Sequence, residues 1–131
     1  MTARSLGAIV LLAAVTSLGC GSPTAPPPPR VLVDPIQVDS LEIVTNASSS
    51  SGLGVRVQGV LGDGCTDLLP PITQKREGIV TRITILRQRP QDAICIQIAK
   101  LFDQVVPLFG DYPPGRYIVR VNNSELSFSV P

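Results

Sequence analysis

Beyond Arg30, apolar and polar positions either alternate or fall into short apolar runs, and no long stretch keeps a helical period. A first strand is predicted over residues 38–45, followed by a flexible, serine-rich loop over residues 46–52. Leu53, Val55 and Val57 then alternate with Gly54, Arg56 and Gln58, as in a half-buried strand. Gly62-Asp63-Gly64 reads as a turn. A short strand over residues 65–69 is broken by Pro70-Pro71, and residues 72–76 lead to a turn at Glu77-Gly78. Residues 79–87 form the clearest strand, because β-branched side chains suit a pleated, half-buried surface. Residues 89–92 read as a loop. Residues 93–99 read as a strand with Ile94, Ile96 and Ile98 on one face. The extended stretch 101–108 contains Pro107, which favours a sheet edge because proline offers no N–H to a ladder. Residues 117–121, a turn at Asn122-Asn123-Ser124, and residues 126–130 read as a hairpin.

That is about seven to nine short strands at roughly ten-residue spacing, which predicts an all-β sandwich or barrel. No repeat at solenoid periods is present. Gly115-Arg116-Tyr117, where the chain enters a strand, resembles the tyrosine corner of immunoglobulin-like domains. There a phenol hydroxyl ties a loop to the sheet. The expected fold is therefore a small immunoglobulin-like β-sandwich with one disulfide. Val119 stands where an antibody domain carries its second cysteine, so the disulfide is not the usual one.

The first residues follow a different pattern. Met1–Ser5 is a short head with one basic residue, Arg4, and residues 6–18 are an apolar run. Thirteen residues are too few to span a bilayer core, which takes about 20. This is the layout of a secretory signal. It ends in Ser17-Leu18-Gly19-Cys20, which resembles the lipobox of bacterial lipoproteins. In that family a diacylglycerol is placed on the cysteine thiol before cleavage. Gly19 and Cys20 match the pattern, while Ser17 and Leu18 stand in swapped order. The resemblance implies lipidation at Cys20 and a membrane anchor through that lipid. The absence of Asp after Cys20 implies sorting to the outer membrane in a diderm organism, and otherwise the outer face of the cell membrane. The alternative is an ordinary secreted protein cut nearby, with Cys20 left as a thiol.

Gly21-Ser22-Pro23-Thr24-Ala25-Pro26-Pro27-Pro28-Pro29 supports a tether. Proline fixes φ and lacks a donor, so the run is expected to be extended polyproline II. Nine residues reach roughly 28 Å. The expected organisation is a signal peptide over residues 1–19, a lipidated cysteine and proline-rich tether over 20–30, and one β-sandwich domain over 31–131.

Three cysteines are an odd number for an exported chain, but acylation of Cys20 leaves Cys65 and Cys95 as an even pair. A structural disulfide is expected in an oxidising compartment. A redox pair would ordinarily take Cys-x-x-Cys spacing, and two cysteines do not complete a tetrahedral metal shell.

Gly62-Asp63-Gly64-Cys65, Ile72-Thr73-Gln74 with Arg76 and Gly78, Arg89-Pro90 with Asp92-Ala93 and Cys95, and Pro114-Gly115-Arg116-Tyr117 with Val119, Val121 and Asn122 together resemble a recurring secreted bacterial domain. In it a D-G-C turn pairs with a D-A-x-C turn, and a P-x-G-x-Y-x-V-x-V-N hairpin closes the fold. The resemblance covers most of residues 53–131 and implies a fold and an exported address, not a reaction.

Composition narrows the chemistry. The chain has no histidine, which removes the commonest general base and metal ligand together with Ser-His-Asp and Cys-His catalysis. Formal charge is +1 and falls to zero once Arg4 is removed, so nothing points to nucleic acid. Two tyrosines, three phenylalanines and no tryptophan leave few stacking platforms for sugars. No enzyme activity, cofactor or metal is expected. Asp63 and Asp67 flank Cys65, but calcium takes six to eight oxygens and turn chemistry already accounts for Asp63.

Two candidate surfaces remain. Lys75, Arg76, Arg82, Arg87 and Arg89 lie close in sequence and could form a basic patch for phosphate or lipid headgroups, or be solvated cations guarding strand edges. The loop Asp111-Tyr112-Pro113-Pro114 is a candidate partner-binding loop, stiffened by proline, with Tyr112 as an aromatic anchor. The other reading folds Tyr112 onto the sandwich. The chain is thus expected to be a membrane-anchored envelope lipoprotein presenting a non-catalytic recognition or scaffold domain to an unknown envelope protein or polysaccharide. The alternatives are an envelope protease inhibitor acting through exposed loops and a soluble secreted binding protein.

Overall fold

The computed structural model describes Gly19, residues 21–45 and residues 47–131. The expected signal segment before Gly19 and the expected lipidation site, Cys20, lie outside the described residues. Eight strands follow in order: β1 Val31–Pro35, β2 Gln37–Thr45, β3 Leu53–Gly62, β4 Asp67–Glu77, β5 Val80–Pro90, β6 Lys100–Pro107, β7 Gly115–Val121 and β8 Ser124–Val130. No helix occurs among the described residues. The fold is the expected all-β sandwich of two packed sheets.

The period-two pattern explains the two layers. One sheet has the order β2-β3-β6, all antiparallel. On β3, Val55, Val57 and Leu61 face inward and are buried, while Arg56 and Gln58 face out. The other sheet is organised around β5, whose Thr81, Ile83 and Ile85 face the same interior. Val119 and Val121 of β7, Phe102 and Val106 of β6, Ile36 and Leu108 complete one contiguous core. Burying each such aliphatic side chain contributes about 1.5–3 kcal/mol before entropy is counted. Gly59 sits where β2 crosses closest to β3: a Cβ there would lie 2.0 Å from the Gln37 carbonyl oxygen. Only glycine leaves room for that approach.

β5 has an unusual set of neighbours. β4 pairs antiparallel on one side in two stretches, Thr73–Glu77 with residues 80–84 and Asp67–Leu69 with residues 86–88. On the other side β7 pairs in parallel with residues 80–83, and β1 pairs antiparallel with residues 86–90. β8 then extends the sheet beyond β7. Asn122 marks the place where one neighbour hands over to the other. Its backbone N–H donates to Ile83 O (3.0 Å), and its side-chain Oδ1 accepts from Ile85 N (3.0 Å). Its Nδ2 donates to Ile85 O (3.0 Å) and Ile36 O (3.1 Å). Asn122 holds a left-handed φ of 51°, which asparagine tolerates better than most residues.

Three expectations are corrected. Residues 93–99 are not a strand: they cross from β5 in one sheet to β6 in the other without a ladder. Residues 67–77 are one strand rather than two pieces broken at Pro70-Pro71. β4 borders β5 alone, and its register shifts between Leu69 and Thr73, so the missing proline donors interrupt no second ladder. β1 is an unexpected strand. Its five residues are exposed and carry no half-buried alternation, and it exists because β7 covers only half of β5.

Candidate functional site

Chemistry-bearing side chains gather at the two ends of the sandwich. At one end the β3–β4 turn carries Asp63, whose Oδ1 accepts from Thr66 Oγ1 (2.8 Å) and Cys65 N (3.1 Å). That is an Asx-type turn, in which a short carboxylate caps the backbone just ahead of it. Cys65 is thereby presented to Cys95, and the two form a disulfide with Cα atoms 5.5 Å apart. Asp63 Oδ2 also receives Arg89 at 2.9 Å. Arg87 donates to Leu61 O (2.8 Å), and Lys100 donates to Thr66 O (2.6 Å) and Asp67 (2.8 Å). The Thr66 hydroxyl foremost, with the Cys65 amide and Arg89, holds the Asp63 carboxyl below its ordinary value. Leu32, Asp34, Asp63, Thr66, Arg87 and Arg89 line a shallow cleft of about 190 Å³. Arg89 Nε is buried there without a hydrogen-bond partner among the described residues.

At the other end Tyr112 packs on Tyr117 (centroids 5.0 Å apart, edge to face) and Phe128 (6.1 Å). Its hydroxyl is 2.8 Å from the buried Thr81 hydroxyl, and the Arg76 guanidinium lies 4.2 Å above its ring. Such cation–π and aromatic contacts hold the ring against the sheet. Arg76 also donates to Asp111 O and Gly78 O. Tyr117 Oη donates to Pro113 O at 2.5 Å, the loop-to-sheet bond expected of a tyrosine corner. Within the candidate loop, then, Tyr112 is packed on the domain, while Asp111, Pro113 and Pro114 are exposed.

The five clustered cations do not come together. The pleat puts Lys75 opposite Arg82 on the outer face, where both reach Glu77 (2.8 and 3.6 Å). Arg76, one residue on, turns inward to the aromatic cluster. Arg87 and Arg89 continue the inward-facing register of β5 past the apolar core, to the turn that carries Asp63. Sequence proximity placed them in one group; alternation and strand length separate them into three.

Among the described residues no group of three acidic or cysteine side chains is placed to hold a metal. Asp63 and Asp67 answer instead to Arg89 and Lys100. Neither the Asp63–Arg89 pair nor the Asn122 bracket was anticipated from sequence, since both depend on residues far apart in the chain.

A polar lattice laces the outer face of the three-stranded sheet. Arg56 grips Asp103 with two donors (2.8 and 2.7 Å), Gln58 adds a third (3.1 Å), and Ser40 donates to Gln58 (3.1 Å). Arg56 first, then Gln58, pull the Asp103 carboxyl down from 3.8 to about 2. A carboxyl depressed by folding stabilises the native state above its unfolded value and loses that contribution as pH falls through the folded one. Stability is therefore expected to decline between about pH 4 and pH 2, modestly, because the pair is exposed. Denaturation midpoints measured across that window should fall less steeply for Asp103→Asn than for the native chain. Equal slopes would show that Asp103 takes no part.

A small all-β sandwich, stapled across one end by a disulfide, defines the class of this protein. The chain belongs to the ORF11 beta-sandwich domain family, which it matches over residues 55–130. It is 30% identical over 88 residues to an uncharacterized 10.2 kDa protein in the HgiCIIM 5′ region of Herpetosiphon aurantiacus, covering 67% of this chain and 93% of that one. A second uncharacterized 10.2 kDa protein of that organism, in the HgiBIM 5′ region, is 33% identical over 69 residues, 53% of this chain and 83% of its own. No solved structure matches the chain significantly.

Proposed function

We propose that this protein is an exported lipoprotein, anchored through lipid on Cys20, whose β-sandwich acts as a non-catalytic recognition or scaffold domain at the bacterial envelope. The observation that carries the reading is the succession of an apolar run, Leu18-Gly19-Cys20 and a proline-rich stretch at the head of the chain. Three features support it. Residues 21–30 are exposed and without regular structure, and folding starts at Val31, as suits a spacer between an anchor and a domain. The disulfide suits an oxidising compartment. Asp63, Asp67 and Asp103 are engaged in ion pairs with Arg89, Lys100 and Arg56 that hold strands and turns together.

Intact mass of the protein made in a lipoprotein-processing host tests the anchor. The expected product begins at Cys20, is heavier by a diacylglycerol and an acyl group, and yields two alkylatable thiols only after reduction. A lipid-free product would sink the anchor and favour a soluble secreted role.

A further inference from the structure

The segment 93–99 leaves its isoleucines outside the fold. Ile94 is fully exposed, Ile96 is 73% exposed, Ile98 54%, and Leu101, just inside β6, 77%. The alternation of the three isoleucines resembles a half-buried strand, yet neither a sheet face nor the core receives them, while Leu101 projects from the outer face of β6, opposite to buried Phe102. Four exposed large aliphatic side chains within eight residues of so small a domain call for an apolar environment elsewhere.

Their position says which one. Gln91 N donates to Arg30 O (2.8 Å), and β1 begins with Val31 opposite Pro90. The isoleucine segment therefore adjoins the point where the tether meets the domain. The Cys65–Cys95 bond and the Gly64 N–Ile96 O hydrogen bond (3.1 Å) fasten it to the β3–β4 turn at that same end. We propose that Ile94, Ile96, Ile98 and Leu101 are the surface by which the domain rests on the bilayer; this rests on the Cys20 anchor proposed above. Ten residues separate that cysteine from Val31, a reach of about 31 Å if fully extended as polyproline II. So short a leash holds the isoleucines at a high effective concentration over the lipid, so that shallow insertion of a few side chains is enough.

The segment is poorly suited to pairing with a strand of another protein. Ile98 N is turned back onto Ile96 O (2.9 Å), and Ile96 O also accepts from Gly64, so the backbone offers no regular ladder. A bilayer needs none. The nearby cations Arg89 and Lys100 are matched by Asp63 and Asp67, which lowers the penalty of approaching hydrocarbon.

The chain has no tryptophan, so a single one becomes a reporter. Full-length Ile94→Trp and Phe109→Trp proteins from a lipoprotein-processing host are reconstituted into phosphatidylethanolamine–phosphatidylglycerol vesicles, with or without acyl-chain-brominated lipid. Phe109 is also exposed, at 59%, but its N–H is bonded to Gln74, which pairs with Ile83. That places it about 23 Å from Pro90 along β5. Bromolipid is expected to quench Ile94→Trp by about half or more and to leave Phe109→Trp unchanged. Unquenched, water-like emission from Ile94→Trp on a chain whose mass includes the lipid overturns the bilayer contact and leaves the anchor standing. Blue-shifted but unquenched emission overturns it in favour of a protein surface, and equal quenching at both sites overturns the assignment to this end. A mass without lipid removes the anchor and the bilayer contact together.

Discussion

Replacing Asn122 by glycine is expected to destabilise the domain by about 2–4 kcal/mol, the scale for leaving two buried backbone groups unpaired. As a turn residue alone, Asn122 would tolerate glycine well, because its φ of 51° is comfortable for glycine. As a bracket it would not. Its side chain accepts from Ile85 N and donates to Ile85 O and Ile36 O, at the one place where β5 has neither β7 nor β1 beside it. Glycine removes all three bonds; Ile85 O keeps its bond from Ile36 N, but Ile85 N and Ile36 O lose the Asn122 side chain as partner. Asn122→Asp should be worse, since it keeps the acceptor but turns a negative charge toward two carbonyl oxygens. For a domain of this size each kcal/mol lowers Tm by about 4–8 °C. Urea unfolding checks the ranking, and a glycine variant as stable as the native chain would reduce Asn122 to a turn residue.

The double variant Cys65→Ala/Cys95→Ala should lose a comparable amount, about 2–4 kcal/mol, as expected for opening a loop of this length. The bond links residues 30 apart in sequence. It also acts locally. Without a ladder, residues 93–99 are held to the turn chiefly by this bond and by Gly64 N–Ile96 O. Besides the lower midpoint, the variant should be cut by protease within residues 91–99 before the strands are touched. An unchanged midpoint on reduction would assign the disulfide to the segment alone and not to global stability.

Much of the fold was legible because burial imposes alternation. Inward-facing Val55 and Val57, or Ile83 and Ile85, identify strands on local grounds, whatever their neighbours. Pro107 rightly marked β6 as an edge, and with Cys20 set aside as the expected lipidation site, Cys65 and Cys95 were left as the pair that the structure joins. The same local logic failed at residues 93–99. Ile94, Ile96 and Ile98 alternate as well as any strand, but the bond at Cys95 ties the segment to the β3–β4 turn between the sheets, and a ladder resumes only at Lys100.

What the order of residues determined by itself was the class: all-β, small, one staple, no histidine-based chemistry, and a head that reads as an export signal and tether. Tertiary structure alone decided the partners. It divided five neighbouring cations among an outer face, an aromatic cluster and a turn, because adjacent strand residues point opposite ways. It made a strand of Val31–Pro35 because β7 stops halfway along β5, and it turned Asn122 into the joint between them. Periodicity is a property of a few consecutive residues. Which strand lies beside which is settled by contacts between residues tens of positions apart, and no local pattern carries that information.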